Sequence, residues 1–519
     1  MNYFTTHQLF FIVPQHSYDE ELKKINVFLS ILDKSGVGDI ISKAYKKQAT
    51  AGRKSYNPYH MFSTVMYCFA IKKSSLREIE EACIYDIRVM YLMDNETPSH
   101  KTICEFINDI VVPNQYAIFS LVTKAIVGHY KLDITNQYLD GTKLEANANK
   151  YKFVWKPTTF HKKLDEKIRK FFNEIGYSTT GSSLIKSREL MKALDEYVKS
   201  EKIDVGNIPQ GKGKRLTSTQ RKYKNGYSML VKLIEYEEKE EICGEDRKSY
   251  YKTDHDATAM ALKTDYYSGH GSNMHAAYNV QVMVASGLIT FYDVFQARSD
   301  QKTLIPFLDK YYKYYGEYPV NLCADAGYGN YDNYEYLKAH SIENYVKFVF
   351  WNSERTGKKP QFFFYNPADK CVTCLGGNTA EEVDFKSNQH QRLRNSKLYR
   401  FSGCNECRHK AKCKQFMKNK DENYKIIEMA PDYEVLKEEA RANLISRKGI
   451  EIRVNRSIQV EGSFGQIKQN MGFIRLRRRG MNKVSCEVMM MCLGRNIRKI
   501  FTMYNAPVIK SSYWNYHEN

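Results

Sequence analysis

The chain has 519 residues, 42% of them hydrophobic, and a formal net charge of +20. At roughly 100–200 residues per domain, that length predicts about three domains with enough apolar content for several cores. No run of 18 apolar residues is present, and the opening Met1-Asn2-Tyr3-Phe4 lacks the charged-then-apolar order of a secretory leader, so neither a membrane span nor export is expected.

Residues 1–130 read as mostly helical. Leu22, Ile25, Phe28, Leu29 and Leu32 repeat at helical spacing. Tyr56-Asn57-Pro58 breaks the chain before a helix from about Met61, and Ser74-Ser75 precedes an acidic first turn at Leu76-Arg77-Glu78. Pro98-Ser99-His100-Lys101-Thr102 marks a further helix start. Short helices with polar connectors suit a helix-turn-helix unit or a plain bundle, and periodicity does not separate the two.

From Leu132 the pattern changes. Residues 134–139 form a short predicted strand that ends at Asp140, and residues 157–245 return to helical spacing with many Lys and Glu. Residues 277–284 alternate and are β-branched, Ser286-Gly287 is a turn, and residues 288–294 complete a hairpin. Ser299-Asp300 caps a helix over residues 304–315. Residues 320–324 form a buried strand ending at Asp325, and residues 345–350 another. Residues 351–430 lose this order. Helices are predicted over residues 433–445, 454–471 and 486–504.

Three acids stand in unusual settings. Asp140 and Asp325 end strands and meet glycine-containing turns, while Glu461 sits in a helix otherwise dominated by basic and apolar residues. Strand-end carboxylates point into the crevice where α/β folds place their sites, and adjacent glycines let a backbone or a phosphate approach. Phosphoryl transfer suits such a trio, because two Mg²⁺ ions about 3.5–4 Å apart can activate an attacking oxygen and neutralise a leaving one. Mg²⁺ takes oxygen ligands and keeps several waters, so a few carboxylates suffice. Spacing alone does not bring the three together. Asp254 and Asp256 form an Asp-x-Asp pair read as a cap and turn rather than as ligands.

Six ordered motifs carry a resemblance. They are Tyr56-Asn57-Pro58 with Ser75-Leu76-Arg77-Glu78-Ile79 and Pro98-Ser99-His100-Lys101-Thr102; Asp140-Gly141-Thr142-Lys143-Leu144-Glu145-Ala146-Asn147-Ala148; Asp254-His255-Asp256-Ala257; Tyr278-Asn279-Val280-Gln281; Asp325-Ala326-Gly327-Tyr328; and Val460-Glu461-Gly462-Ser463-Phe464-Gly465-Gln466-Ile467-Lys468. Over roughly residues 50–500 the chain resembles bacterial insertion-sequence transposases of the DDE superfamily. That resemblance implies an α/β catalytic domain, RNase H-like, with a mixed sheet flanked by helices. It divides the chain into an N-terminal all-α DNA-binding domain (1–130), a catalytic domain (131–350 and 431–505) with a helical insertion (about 157–250), and a cysteine-rich insertion (351–430). It implies Asp140, Asp325 and Glu461 as catalytic residues holding two Mg²⁺ (or Mn²⁺) ions. The partners implied are double-stranded DNA, as element ends and target, and further copies of the chain on that DNA, with no membrane. The expected location is the bacterial cytoplasm, with the nucleoid. The alternative is a transposase-derived DNA-binding protein without catalysis.

A related pattern places an arginine four residues before the glutamate and a lysine seven after. Lys468 fits, but position 457 is Ser and the nearest arginine is Arg456. On an ideal helix Lys468 shares the face of Glu461, whereas Arg456 lies about 140° away unless the first turn is distorted. Residues 441–480 hold ten basic residues against two acids. Among them Arg456, Lys468, Arg475, Arg477, Arg478 and Arg479 are the candidate DNA contacts, whose binding should weaken steeply with salt.

Twelve cysteines in a chain without a leader do not indicate a disulfide scaffold. Seven are scattered and read as small buried hydrophobes. The other five, Cys371, Cys374, Cys404, Cys407 and Cys413, have paired CxxC spacing suited to structural Zn²⁺. An iron–sulfur cluster and metal-free thiols remain open, with His409 as a spare ligand.

Overall fold

A computed structural model describes residues 15–45, 55–179, 181, 183–209, 216–245, 247–262, 274–358, 361–385, 393–415, 417 and 420–504. Met1-Asn2-Tyr3-Phe4 and residue 505, the last of the expected catalytic domain, lie outside the described residues. The chain forms two compact units. One comprises residues 1–144, 279–478 and 482–519, and the other residues 145–278 and 479–481.

The first unit joins the N-terminal helices and a mixed sheet. Asn57 caps the helix Pro58–Ala70 by accepting from the N–H groups of Tyr59 and His60, with Pro58 at the first helical position. Ser75 and Glu78 form a reciprocal capping box on Leu76–Tyr85, and Ser99 caps His100–Phe106. From His100 the helix continues to Tyr130 through a π turn, Ile107–Val111, just before Pro113. By length and composition it could cross a membrane, which the absence of an unbroken apolar run did not anticipate. Half of its most apolar window is buried, with Ile118, Phe119, Val122 and Ile126 in the core. Its apolarity is therefore that of a core helix, hydrophobic on most sides because protein surrounds it.

The sheet of this unit runs in the order Leu288–Phe295, Met274–Ala285, Asn136–Glu145, Asn321–Ala324, Glu343–Asn344. The first pair is the antiparallel hairpin, turning at Ser286 and Gly287, both at positive φ. Asn136–Glu145 pairs with Asn321–Ala324 in parallel, and that strand pairs with Glu343–Asn344 in parallel. Helix Leu304–Tyr315 packs Phe307 and Tyr311 against Phe291. Helix Met481–Met503 is buried along most of its length. Its Asn496 side chain bonds both the N–H and the carbonyl of Ile289, satisfying backbone groups of the edge strand.

The second unit packs the three helices Thr158–Ile175, Ser187–Ser200 and Ser218–Cys243 around Leu164, Ile168, Phe171, Leu190, Leu194 and Leu233. Here Asp254 accepts from the Tyr278 hydroxyl and the Gly480 N–H, and Asp256 accepts from the Met481 N–H at 2.7 Å. Both acids are thus engaged in holding backbone, in keeping with a cap and turn.

Four sequence expectations change. Asp140 does not end its strand, which continues to Glu145; only the parallel pairing stops there, at Leu139 and Ala324. Residues 345–350 are not a strand. Tyr345 and Lys347 still donate to Leu322 and Ala324, but the partner strand is four residues long and turns away at Asp325. Residues 351–430 are not irregular: they hold the strand pair Phe363–Asn366 and Cys371–Cys374, and a three-stranded sheet of Glu381–Val383, Lys397–Ser402 and Tyr424–Met429. Of the seven scattered cysteines six are buried, while Cys104 is half-buried.

Candidate active site

Asp140 and Asp325 follow directly on the last paired residues, Leu139 and Ala324, of two parallel strands. Neighbouring strands lie about 4.8 Å apart, so the two acids stand side by side where the parallel pairing stops, Asp140 within its strand and Asp325 just past the end of its own. Asp140 accepts from the Gly141 N–H at 2.8 Å. Burial pushes its carboxyl above the usual aspartate range, with Arg456 opposing and the charges of Asp325 and Asp300 adding to the rise. Burial acts on Asp325 too, but the Ala326 N–H, Lys347 and Arg456 outweigh it and hold that carboxyl below its usual range. Two adjacent acids with pKa values driven apart are a mark of sites that handle charge.

Asp300 is the acid that sequence reasoning missed. Read only as part of a helix cap, it stands close enough to raise the pKa of Asp140. It accepts from Asn279 Nδ2 at 2.8 Å and Gln281 Nε2 at 2.9 Å. Tyr328, fully buried, donates to the Gln281 side-chain amide oxygen Oε1. Together they explain Gly141: a Cβ there would lie 2.3 Å from Gln281 Nε2 and 2.9 Å from Asp300 Oδ1. The Tyr278-Asn279-Val280-Gln281 motif was the available signal, since two of its polar residues alternate along a strand toward one face. Lys347, 3.5 Å from Asp325, was also missed, because nothing in its local sequence marks it.

Arg456 reaches Asp140, Nη1 to Oδ2 at 3.3 Å, from a side chain only 8% exposed. The helix that carries it is distorted. After Arg447–Arg456 comes a π turn, Ser457–Glu461, then one α turn, then a second π turn, Gln466–Asn470. A π turn closes i→i+5 bonds and takes one residue more than an α turn. The five-residue spacing from Arg456 to Glu461 is therefore equivalent to four in an α-helix, which accounts for the displaced arginine. The second π turn begins between Glu461 and Lys468, so their ideal-helix alignment does not carry over.

Glu461 itself is exposed and has no hydrogen-bond or ion-pair partner among the described residues. No group of three His, Cys, Asp or Glu side chains among them is placed to hold a metal ion. The structure thus brings together Asp140, Asp325, Asp300, Arg456 and Lys347.

Arg475, Arg477 and Arg479 are exposed, as DNA contacts require. Arg478 is half-buried and donates to Asn108 Oδ1 at 2.9 Å, so it serves the fold. Buried Glu487 accepts from the N–H groups of Arg477 and Arg478 and fixes the course of this loop. Among the clustered thiols, Cys374, Cys404, Cys407 and Cys413 line one pocket with His409. Cys371 does not join them: Val372 and Cys374 share one strand face, leaving Cys371 on the other.

Two families match the chain. A transposase DDE domain matches residues 373–501, which include Arg456, Glu461 and Lys468, and a transposase domain (DUF772) matches residues 13–109. Asp140 and Asp325 lie outside both stretches. No curated protein and no solved structure matches.

Proposed function

The family matches support an insertion-sequence transposase of the DDE type, and from that premise we propose that the chain cleaves DNA at the inverted-repeat ends of an insertion sequence and transfers the freed strand to target DNA. The observation that carries this reading is the placement of Asp140 and Asp325 side by side on parallel strands. The mixed sheet flanked by helices supports an RNase H-like catalytic core.

The donor set fits hard divalent cations. Asp140 and Asp325 offer carboxylate oxygens, and each stands beside a cation, Arg456 and Lys347 respectively. With Glu461 they would hold two Mg²⁺ or Mn²⁺, which when bound supply an activated attacking oxygen and a neutralised leaving oxygen. The chain's own groups do the positioning. Asn279, Gln281 and Tyr328 fix Asp300 against the Asp140 strand, and Arg456 fixes the Asp140 carboxylate. Exposed Arg475, Arg477 and Arg479 would take DNA phosphates, and copies of the chain would pair two DNA ends.

Purified protein incubated with end-containing DNA and Mg²⁺ should release 3′-hydroxyl nicks at the ends, and none in chelator. Binding without nicking would favour the alternative of a non-catalytic DNA-binding protein.

Arg456→Gln should move the acidic limb of the pH–cleavage profile upward. Asp140 would lose the cation that opposes its burial and need higher pH to ionise. An unmoved limb, measured in single-turnover reactions, would remove Arg456 from the site.

A further inference from the structure

The strands of residues 361–429 have little core of their own. Val372, Tyr399, Phe401 and Met429 form the buried cluster, with Phe363, Cys374 and Cys404 packed against it. Small modules with so few buried apolar side chains usually depend on disulfides or a structural metal. All five cysteines here are free thiols.

Four of these thiols converge through ordinary backbone geometry. Cys374 ends its strand, and its carbonyl accepts from the Gly377 N–H in a tight turn. Cys404 follows the strand Lys397–Ser402, and its carbonyl accepts from the Cys407 N–H, folding the second CxxC into a turn. Cys413 closes the single helical turn Lys410–Cys413. A Cβ built on Gly376 would lie 2.8 Å from Cys407 Sγ and 3.5 Å from Cys374 Sγ, so these sulfurs approach the same point from two loops.

The surrounding charge is complementary. Lys425 Nζ donates to Cys413 Sγ at 3.3 Å and also to the Cys413 carbonyl. Lys414, 2% exposed, lines the same pocket and donates to the Glu422 carbonyl. Four thiolates around one divalent ion leave two negative charges, and two ammonium groups offset them. Thiolate donors select a soft or borderline cation, and tetrahedral four-sulfur sites are those of zinc.

We infer that Cys374, Cys404, Cys407 and Cys413 are the ligands of a structural zinc site and that Cys371 is not. The sulfurs are not already at ligand spacing, so the side chains turn inward on binding and each thiol gives up a proton. The inference is independent of the catalytic reading.

The test uses the full reduced chain. Elemental analysis should find about one zinc per chain, and Co²⁺ exchange should give the intense thiolate charge-transfer band and visible absorption of a tetrahedral four-sulfur site. Co²⁺ held by carboxylates would give no such band. Cys371→Ser should keep full metal content, whereas Cys407→Ser and Cys413→Ser should each lose most of it. Should those variants fail to fold, the Co²⁺ spectrum of the unaltered chain still reports the donors. Less than a tenth of an equivalent of zinc with no thiolate band, iron with sulfide in its place, or equal loss in Cys371→Ser would overturn the assignment.

Discussion

Replacing Asp140 with asparagine should abolish Mg²⁺-dependent strand cleavage, by at least about a thousandfold or roughly 4 kcal/mol of barrier, while leaving thermal stability unchanged or raised. The two outcomes have one cause. Burial pushes the Asp140 carboxyl above its ordinary range despite Arg456. A folded-state pKa raised in this way means that the folded protein holds a proton that the unfolded chain gives up. The contribution of this group to stability is therefore full below the ordinary aspartate range and declines as pH rises through the raised value. At neutral pH the fold carries a charge that it holds at a cost, and a neutral amide of the same shape removes that cost. Asp325→Asn should lose cleavage equally but also some stability, since Asp325 is held below its ordinary range by Lys347, Arg456 and the Ala326 N–H. The check is a pair of measurements on each variant: cleavage of end-containing DNA, and the thermal midpoint at pH 7. Retained cleavage in either variant would remove that acid from the catalytic set.

Gly329→Ala should damage both the fold and the site. Its backbone lies at φ −78°, which any residue adopts, so conformation is no obstacle. Space is the obstacle. A Cβ there would stand 2.3 Å from the Lys347 carbonyl oxygen and 2.8 Å from Phe348 Cα. Both are backbone atoms and cannot swing aside, so the loop after Asp325 must separate from the segment carrying Lys347. The Lys347–Asp325 pair at 3.5 Å would open with it. Overpacking of this kind costs about 1–3 kcal/mol, and a clash against backbone belongs at the upper end. Urea denaturation should show a lower midpoint with an unchanged slope, and cleavage should fall in parallel. A variant with the normal midpoint and normal activity would show that the loop is not pinned there.

Local signals were legible where local chemistry fixes the structure. The Ser75–Glu78 pair and Ser99 each satisfy helix N–H groups within a few residues, so their helices start where the side chains indicate, whereas Asn57-Pro58, expected to break the chain before a helix from about Met61, is itself the cap and first position of Pro58–Ala70. The Ser286-Gly287 hairpin was readable because its turn needs positive φ and its first strand is rich in β-branched residues, although both strands are buried on both faces rather than alternating. The strand expected at residues 345–350 failed because its length depends on the short partner Asn321–Ala324, which no window on residues 345–350 contains. The order within residues 351–430 was missed because its strands are three to six residues long and barely alternate.

By itself the sequence determined the basic charge, the helical N-terminal segment, the two aspartates on strands and the cysteine-rich segment, since each rests on composition or on contacts between near neighbours. Only the tertiary structure decided which groups meet. Asp300 joins Asp140 across more than a hundred residues through Gln281 and Gly141, Arg456 reaches Asp140 because a π turn takes up one extra residue, and strand alternation turns Cys371 away from the other four thiols. The physical reason is common to all of these: a side chain's direction follows from the accumulated helical and strand phase of everything that packs around it, and spacing along the chain records that phase only while the helix or strand stays regular.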